Sequence, residues 1–233
     1  MQDADQRAWR RTRWALAALV ALNALYWLVY AGAPAFHARW LRGEDRLIEW
    51  ITFAGFAGAG LVCARLATRP AGRWLRFWRI GLALFFLVCA GEEISWGQRV
   101  FGFGTPEAVA EHNEQDEFNL HNLNWVHIHP LAIVSWCLKS FGLFGPLAIA
   151  LRRRGPRDPW RDFFPAPAVI PLFLVAELIT RLRAVLMPWL TRMLGDATAL
   201  IVKLDTVEFK EMIWGVAVLC AALSLRDILH RHR

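Results

Sequence analysis

Acidic side chains stand in this chain where the surrounding sequence is apolar. Residues 91–99 read Gly-Glu-Glu-Ile-Ser-Trp-Gly-Gln-Arg, so two adjacent carboxylates, Glu92 and Glu93, close an apolar run. Residues 205–211 read Asp-Thr-Val-Glu-Phe-Lys-Glu and open another. A charged side chain at the centre of a bilayer costs about 2.5–3.5 kcal/mol on insertion scales, so such groups persist where they pair, line water or do chemistry. Carboxylates placed this way hold a cation or act as general bases. On a continuous helix Glu92, Ser95 and Arg99 share a face, and Glu93 points about 100° away. That leaves two readings. Glu92 pairs with Arg99 while Glu93 reaches interfacial water, or one carboxylate is a metal ligand or base with the other as neighbour. Asp205, Glu208 and Glu211 fall within about 120° of arc on a helix, with Lys210 on the far side. Glu93, Glu208 and Glu211 are the candidate catalytic acids and bases, and an interfacial acid cluster in water is the plain alternative.

The loop 97–129 adds amides and imidazoles: Gln98, Asn119, His121, Asn122, His127 and His129. Pro130 disfavours helix at His129. If the stretch is extended, His127 and His129 face the same way. With His121 and Glu92 they would complete a ligand set for a divalent metal such as zinc, with a position open for water. If the following helix starts earlier, the two rings diverge by about 200° and the set fails. Ser95, Gln98, Arg99, Asn119 and Asn122 are candidate polar contacts around it. Lys139 lies in the middle of an apolar run, and Glu177, Glu92 or Glu211 is its expected partner. Glu177 has Arg181 at i+4 as a rival partner. Glu44, Asp45 and Glu49 stand beside Arg42 and Arg46, and Glu49 is the one expected to turn inward. Thr105-Pro106-Glu107 reads as a helix start, with Thr105 as N-cap and Pro106 at N1.

What positions these groups is a set of membrane spans. Of 233 residues, 56% are hydrophobic and 20% charged, and mean hydropathy is +0.30. A soluble domain needs more polar surface than this. The reading is an all-α polytopic helix bundle, one transmembrane domain over 1–233. A span needs about 20 mainly apolar residues, and six blocks approach that: 14–30, 47–66, 77–96, 130–151, 164–180 and 206–225. A cleaved leader with Ala33-Pro34-Ala35 as its cleavage site is the rival reading of the first block. Segment 181–204 is too charged to span and suits helices lying in the interface, broken near Gly195-Asp196.

Arginine placement orients the bundle. Arg7, Arg10, Arg11 and Arg13 precede the first span, and Arg65, Arg69, Arg73, Arg76 and Arg79 separate the second and third. Arg152, Arg153, Arg154, Arg157 and Arg161 separate the fourth and fifth, and Arg226, Arg231 and Arg233 end the chain. The positive-inside rule makes that side cytoplasmic, with both termini on it. Most acids fall on the other side. The net charge of +7 is thus a topology signal, and no nucleic-acid partner is expected. Tryptophans near the span ends form an aromatic belt. Cys63, Cys89, Cys137 and Cys220 form no CxxC pair and read as small buried hydrophobes.

The run Gly91 to Arg99, with Thr105-Pro106-Glu107, Asn119-Leu120-His121-Asn122, Glu44-Asp45 and Glu49-Trp50, resembles a set of uncharacterised bacterial multi-pass membrane proteins over roughly the first half of the chain. That resemblance implies the bacterial inner membrane and no particular activity. Ser95, His121, His127 and His129 are also similar in residue type to the zinc site of the alkaline-ceramidase-like intramembrane hydrolases. The departures are plain. Those proteins usually have seven spans and a His pair near the C-terminus. Here the last span offers Asp205, Glu208 and Glu211, and His230 and His232 fall on the opposite side. Three functions are expected: first a metal-assisted hydrolase open to the outer side and acting on a membrane lipid or membrane-proximal substrate, and then, on an equal footing, a proton- or cation-coupled transporter and a non-catalytic subunit or sensor. A second copy of the chain as partner remains open.

Overall fold

In hydrocarbon a single segment satisfies its backbone polar groups only by hydrogen bonds to itself, so apolar blocks of this length become helices. The computed structural model describes residues 2–41, 46–111, 118–119, 130–152 and 158–229. Among these residues the protein is all-α, with no strand. Helix α1 is Gln2–Gly32, followed by the short α2, Pro34–Trp40. Helix α3 is Leu47–Ala67 and α4 is Arg73–Glu93. Two single turns follow, α5 (Gln98–Phe101) and α6 (Glu107–Ala110). Helix α7, Pro130–Lys139, runs through a π turn at Ser140–Phe144 into α8, Gly145–Arg152. Helix α9 is Ile170–Leu194 and α10 is Asp196–Leu229.

Among the described residues four helices are long and apolar enough to cross a membrane: Asp3–Gly32, Leu47–Ala67, Arg73–Glu93 and Ala132–Arg152. Their outward faces carry large exposed apolar side chains, among them Trp14, Val20, Leu84, Ile133 and Leu151, which is how a lipid-facing surface reads. Several boundaries differ from the sequence expectation. The first helix starts near the chain's beginning, where Ala4, Ala8 and Thr12 are buried. The third block stops at Glu93 rather than 96. The fifth begins at Ile170, after short 3-10 turns at Pro159–Asp162 and Pro167–Val169. Residues 181–204 form no separate unit. They continue α9 and begin α10, with the chain turning at Gly195 (φ 79°). Three cysteines are buried, but Cys137 is exposed, so it faces outward rather than into the core.

Helix α10 is the hub. It packs against α3, α9 and α1, and α3 packs in turn on α4. The core holds Phe56, Phe86, Leu138, Leu172, Phe173 and Met212. Glycine sets the closest approaches. A Cβ on Gly55 would lie 2.4 Å from the backbone carbon of Gly215, and one on Gly215 would lie 2.8 Å from the carbonyl oxygen of Thr52. The backbones of α3 and α10 therefore touch, the packing that small residues permit between membrane helices. In the π turn, Gly142 leaves room for the ring of Phe173.

The two ends of the chain meet at one end of the bundle. Arg11 Nη2 of α1 donates to Asp227 Oδ2 of α10 at 2.7 Å. Arg7 and Arg226 approach the same carboxylate at 3.5 and 3.4 Å. Arg161 stands 3.8 Å from Asp5, and Arg152 lies 3.3 Å from Asp158.

Candidate functional site

Three helices bring acids to the opposite end. Glu49 sits in the first turn of α3, Glu92 and Glu93 end α4, and Glu208 and Glu211 lie on α10. The Gly55–Gly215 contact explains their convergence. Glu49 is six residues before Gly55, and Glu211 and Glu208 are four and seven residues before Gly215. Two helices that touch at one level stay close within the next two turns. Glu93 lies within electrostatic reach of Glu211, Glu208, Glu49 and Glu92. Lys210 Nζ lies 3.6 Å from Glu211 and 4.5 Å from the centre of the Trp214 ring. Lys210 thus stands beside Glu211, one of the five carboxylates.

The segment after α4 does not continue as helix, so Glu92, Ser95 and Arg99 do not share a helix face. The backbone turns left-handed at Ser95 (φ 45°), Trp96 (φ 54°) and Gly97 (φ 77°). Ser and Trp rarely adopt this conformation, and each such residue costs roughly 1–3 kcal/mol unless its surroundings hold it. Two contacts hold it here. The Trp96 indole donates to Glu92 Oε1 at 2.7 Å. Its ring folds back over Gly91, where a Cβ would sit 2.9 Å from ring carbons. Glu92 therefore accepts from Trp96, and the Arg99 side chain lies outside the described residues.

Beyond the turn, Ser95, Gln98 and Asn119 form a small polar network. Asn119 Nδ2 donates to Ser95 Oγ at 3.3 Å, and both residues are buried. Gln98 Nε2 donates to Thr105 Oγ1 at 2.8 Å, while Gln98 Oε1 accepts from the Phe118 backbone N–H at 2.7 Å. Thr105 is thus engaged by Gln98, and the residue preceding α6 is Pro106. The network ties residues 118–119 to the end of α4. Asn122, His121, His127 and His129 lie outside the described residues, as do Glu44 and Asp45. Among the described residues, no three His, Cys, Asp or Glu side chains are grouped to hold a metal ion.

Lys139 stands apart from the cluster. Its ammonium lies 3.2 Å from Glu177 Oε2, joining α7 to α9, and 5.3 Å from the Trp136 ring centre. Of its three expected partners the structure selects Glu177, and Lys139 takes the place beside Glu177 that Arg181 would have held.

Sequence reasoning passed over His37. It is 1% exposed, and its ring meets Tyr26 and Tyr30 edge-on at 4.3 and 5.1 Å. Tyr26 also meets Phe209 at 4.8 Å, one turn after the buried Asp205. A lone histidine in a short apolar stretch gave no signal. The Tyr26–Tyr30 spacing, which presents two rings on one helix face, was the available clue.

Towards the arginine end from the acids, the bundle is packed with apolar side chains. Phe56, Phe86, Met212, Ala59 and Ala217 are buried and fill the space between α3, α4 and α10. Packed apolar side chains therefore lie directly on the arginine side of the acids. Compared with known proteins, the chain matches no family model, no curated protein and no solved structure.

Proposed function

We propose that the protein is a multi-pass inner-membrane protein whose outward-facing carboxylate recess binds a divalent cation and, with it, hydrolyses a membrane lipid or other membrane-proximal substrate. The observation that carries this is the convergence of Glu49, Glu92, Glu208 and Glu211 on Glu93. Like charges brought near one another out of water favour a bound cation. A divalent cation suits such a set, and zinc is the first candidate because it takes carboxylate and imidazole together. In this reading Glu92 and Glu93, with His121, His127 and His129, hold the ion. Glu208 or Glu211 takes the proton from a water that the ion polarises. Ser95, Gln98, Asn119 and Asn122 orient the substrate at the mouth. Lys139 and Glu177 brace α7 against α9.

The topology that goes with this has six spans, α9 and α10 crossing along with the four apolar helices. The stretch 212–225 of helix α10 carries no charge and packs inside the bundle. The arginine-rich end, where both chain ends meet, is cytoplasmic by the positive-inside rule. The apolar packing on the arginine side of the acids favours a one-sided site over a conduit.

The test is metal analysis and zinc titration of the purified full chain, read by tryptophan fluorescence because Trp96 touches Glu92. One ion per chain is expected, with affinity reduced at least tenfold in Glu93→Gln and Glu211→Gln. Phospholipid hydrolysis should be lost in Glu211→Gln. No bound ion, or equal affinity in both variants, overturns cation binding. Binding without hydrolysis, together with ion flux in liposomes that responds to Glu211→Gln, replaces the hydrolase by a transporter.

A further inference from the structure

Helices α1 and α9 both pack on α10 but barely meet each other, and a groove runs between them. Its volume is about 550 Å³, within the roughly 300–1,000 Å³ of ordinary ligand cavities. Phe209, Met212 and Ile213 of α10 form a buried floor, and the exposed Val20, Leu182 and Leu186 stand at the edges. The lining is apolar except for Asn23, Thr206 and Arg183.

Each of the three polar residues stands about two turns from one end of its helix's share of the lining. Leu16, Val175 and Ile213 mark the far end of the lining on α1, α9 and α10. Asn23 is seven residues from Leu16, Arg183 eight from Val175 and Thr206 seven from Ile213. At 1.5 Å per residue that is about 10–12 Å in each case, against roughly 15 Å for one leaflet of hydrocarbon. Among the described residues Arg183 is the lining's sole charge, and no acid faces it there. Its guanidinium makes one long hydrogen bond, Nη1 to the Lys203 carbonyl at 3.4 Å, which leaves donors to spare. Among the described residues the Asn23 amide has no partner.

We infer that this groove binds one anionic membrane phospholipid, with an acyl chain along the apolar stretch, an ester carbonyl at Asn23 and the phosphate at Arg183. Charge fixes the choice of occupant. A partner helix would bring a continuous apolar face and leave Arg183 and Asn23 unanswered, whereas a phospholipid presents its acceptors next to its hydrocarbon. Arg is suited to phosphate by its planar fork of donors. The groove lies on a different face of α10 from Glu208 and Glu211, so the site stands whether or not the recess binds a cation.

The experiment is native mass spectrometry of the full chain released from nanodiscs of equal parts phosphatidylglycerol and phosphatidylcholine. Wild type should retain one phosphatidylglycerol and at least fivefold less phosphatidylcholine. Arg183→Gln should lose that preference. Arg181→Gln, on the same helix but outside the lining, should keep it. Ala24→Phe, which fills the groove, should lose both lipids while keeping the helical content and cation binding of the wild type. Equal retention of the two lipids by wild type, unchanged retention in Arg183→Gln, or equal loss in Arg181→Gln overturns the inference. Glu93→Gln should leave lipid retention untouched, so failure of the recess reading and failure of this one are distinguishable.

Discussion

The two ends of the bundle treat charge in opposite ways. At the arginine end each acid in contact meets a guanidinium. Asp227 has Arg11, Arg7 and Arg226, Asp158 has Arg152, and Asp5 has Arg161. At the acid end four carboxylates lie within electrostatic reach of a fifth, and Lys210 stands beside Glu211. Opposite charges in contact tie α1 to α10 at one end, whereas like charges from three helices approach one another at the other. The same helix, α10, contributes to both ends, so the difference lies in which side chains face it and not in the packing.

The sharpest way to break the comparison is Gly55→Ala. The added carbon would stand 2.4 Å from the Gly215 backbone, so α3 and α10 must separate. Overpacking against backbone costs about 3 kcal/mol or somewhat more, read as thermal unfolding in detergent. Cation affinity should fall with it, while the arginine-end ion pairs persist. Gly81→Ala, with nothing within 4 Å of the new carbon, should be neutral or slightly stabilising.

Next in size is Asp227→Ala, which leaves the Arg11 guanidinium without its acceptor. The Arg11 side chain is 24% exposed, so the loss should be about 2–3 kcal/mol, below the range for fully buried pairs. Burial pushes the Asp227 carboxyl up, but the Arg11 hydrogen bond and the charges of Arg11, Arg226 and Arg7 outweigh it and hold its pKa below the usual 3.8. The unfolded chain therefore takes up this proton first as pH falls. The stabilisation is complete above about pH 4 and fades as pH drops through the lower folded value. Acid titration of wild type should show a steeper loss of stability than Asp227→Asn. Zinc affinity should not change in Asp227→Asn, and a drop equal to that of Glu93→Gln would mean that the two ends are not separate.

The smallest effect belongs to the ion pair between them. Lys139→Met and Glu177→Gln should each cost about 1 kcal/mol, since both groups keep partial exposure, and the double variant should cost less than their sum. A strictly additive result would show that Lys139 is held by Trp136 and not by Glu177.

Much of the fold was legible because hydropathy is a long-range average. Apolar blocks give helices wherever they stand, and Gly195 marked its own break. Lys139 was legible for the same reason, because a cation in the middle of an apolar run must find an acid. The turn at Ser95 and Trp96 was not. Helical periodicity ran on past Glu93, and only the tertiary contacts of Trp96 with Gly91 and Glu92 make a left-handed backbone acceptable there. Nor was the Gly55–Gly215 contact legible, since both glycines sit among other small residues and nothing local pairs one with the other. His37 escaped notice because its burial depends on rings from another helix. The candidate site was thus visible as a set of residue types, while its geometry depended on two glycines and one tryptophan.

The glycine contact between α3 and α10 has a mechanical consequence. With no side chain between the backbones, the crossing acts as a pivot, and the lever arms from it to Glu211 and Glu208 are only about 6 and 10 Å by helix rise. Tilting one rod by 5° about that point displaces the farther residue by roughly 1 Å. Bilayers of different thickness are met mainly by tilting. This bundle can lean to follow the membrane and still keep its acids within a bond length of their resting separation.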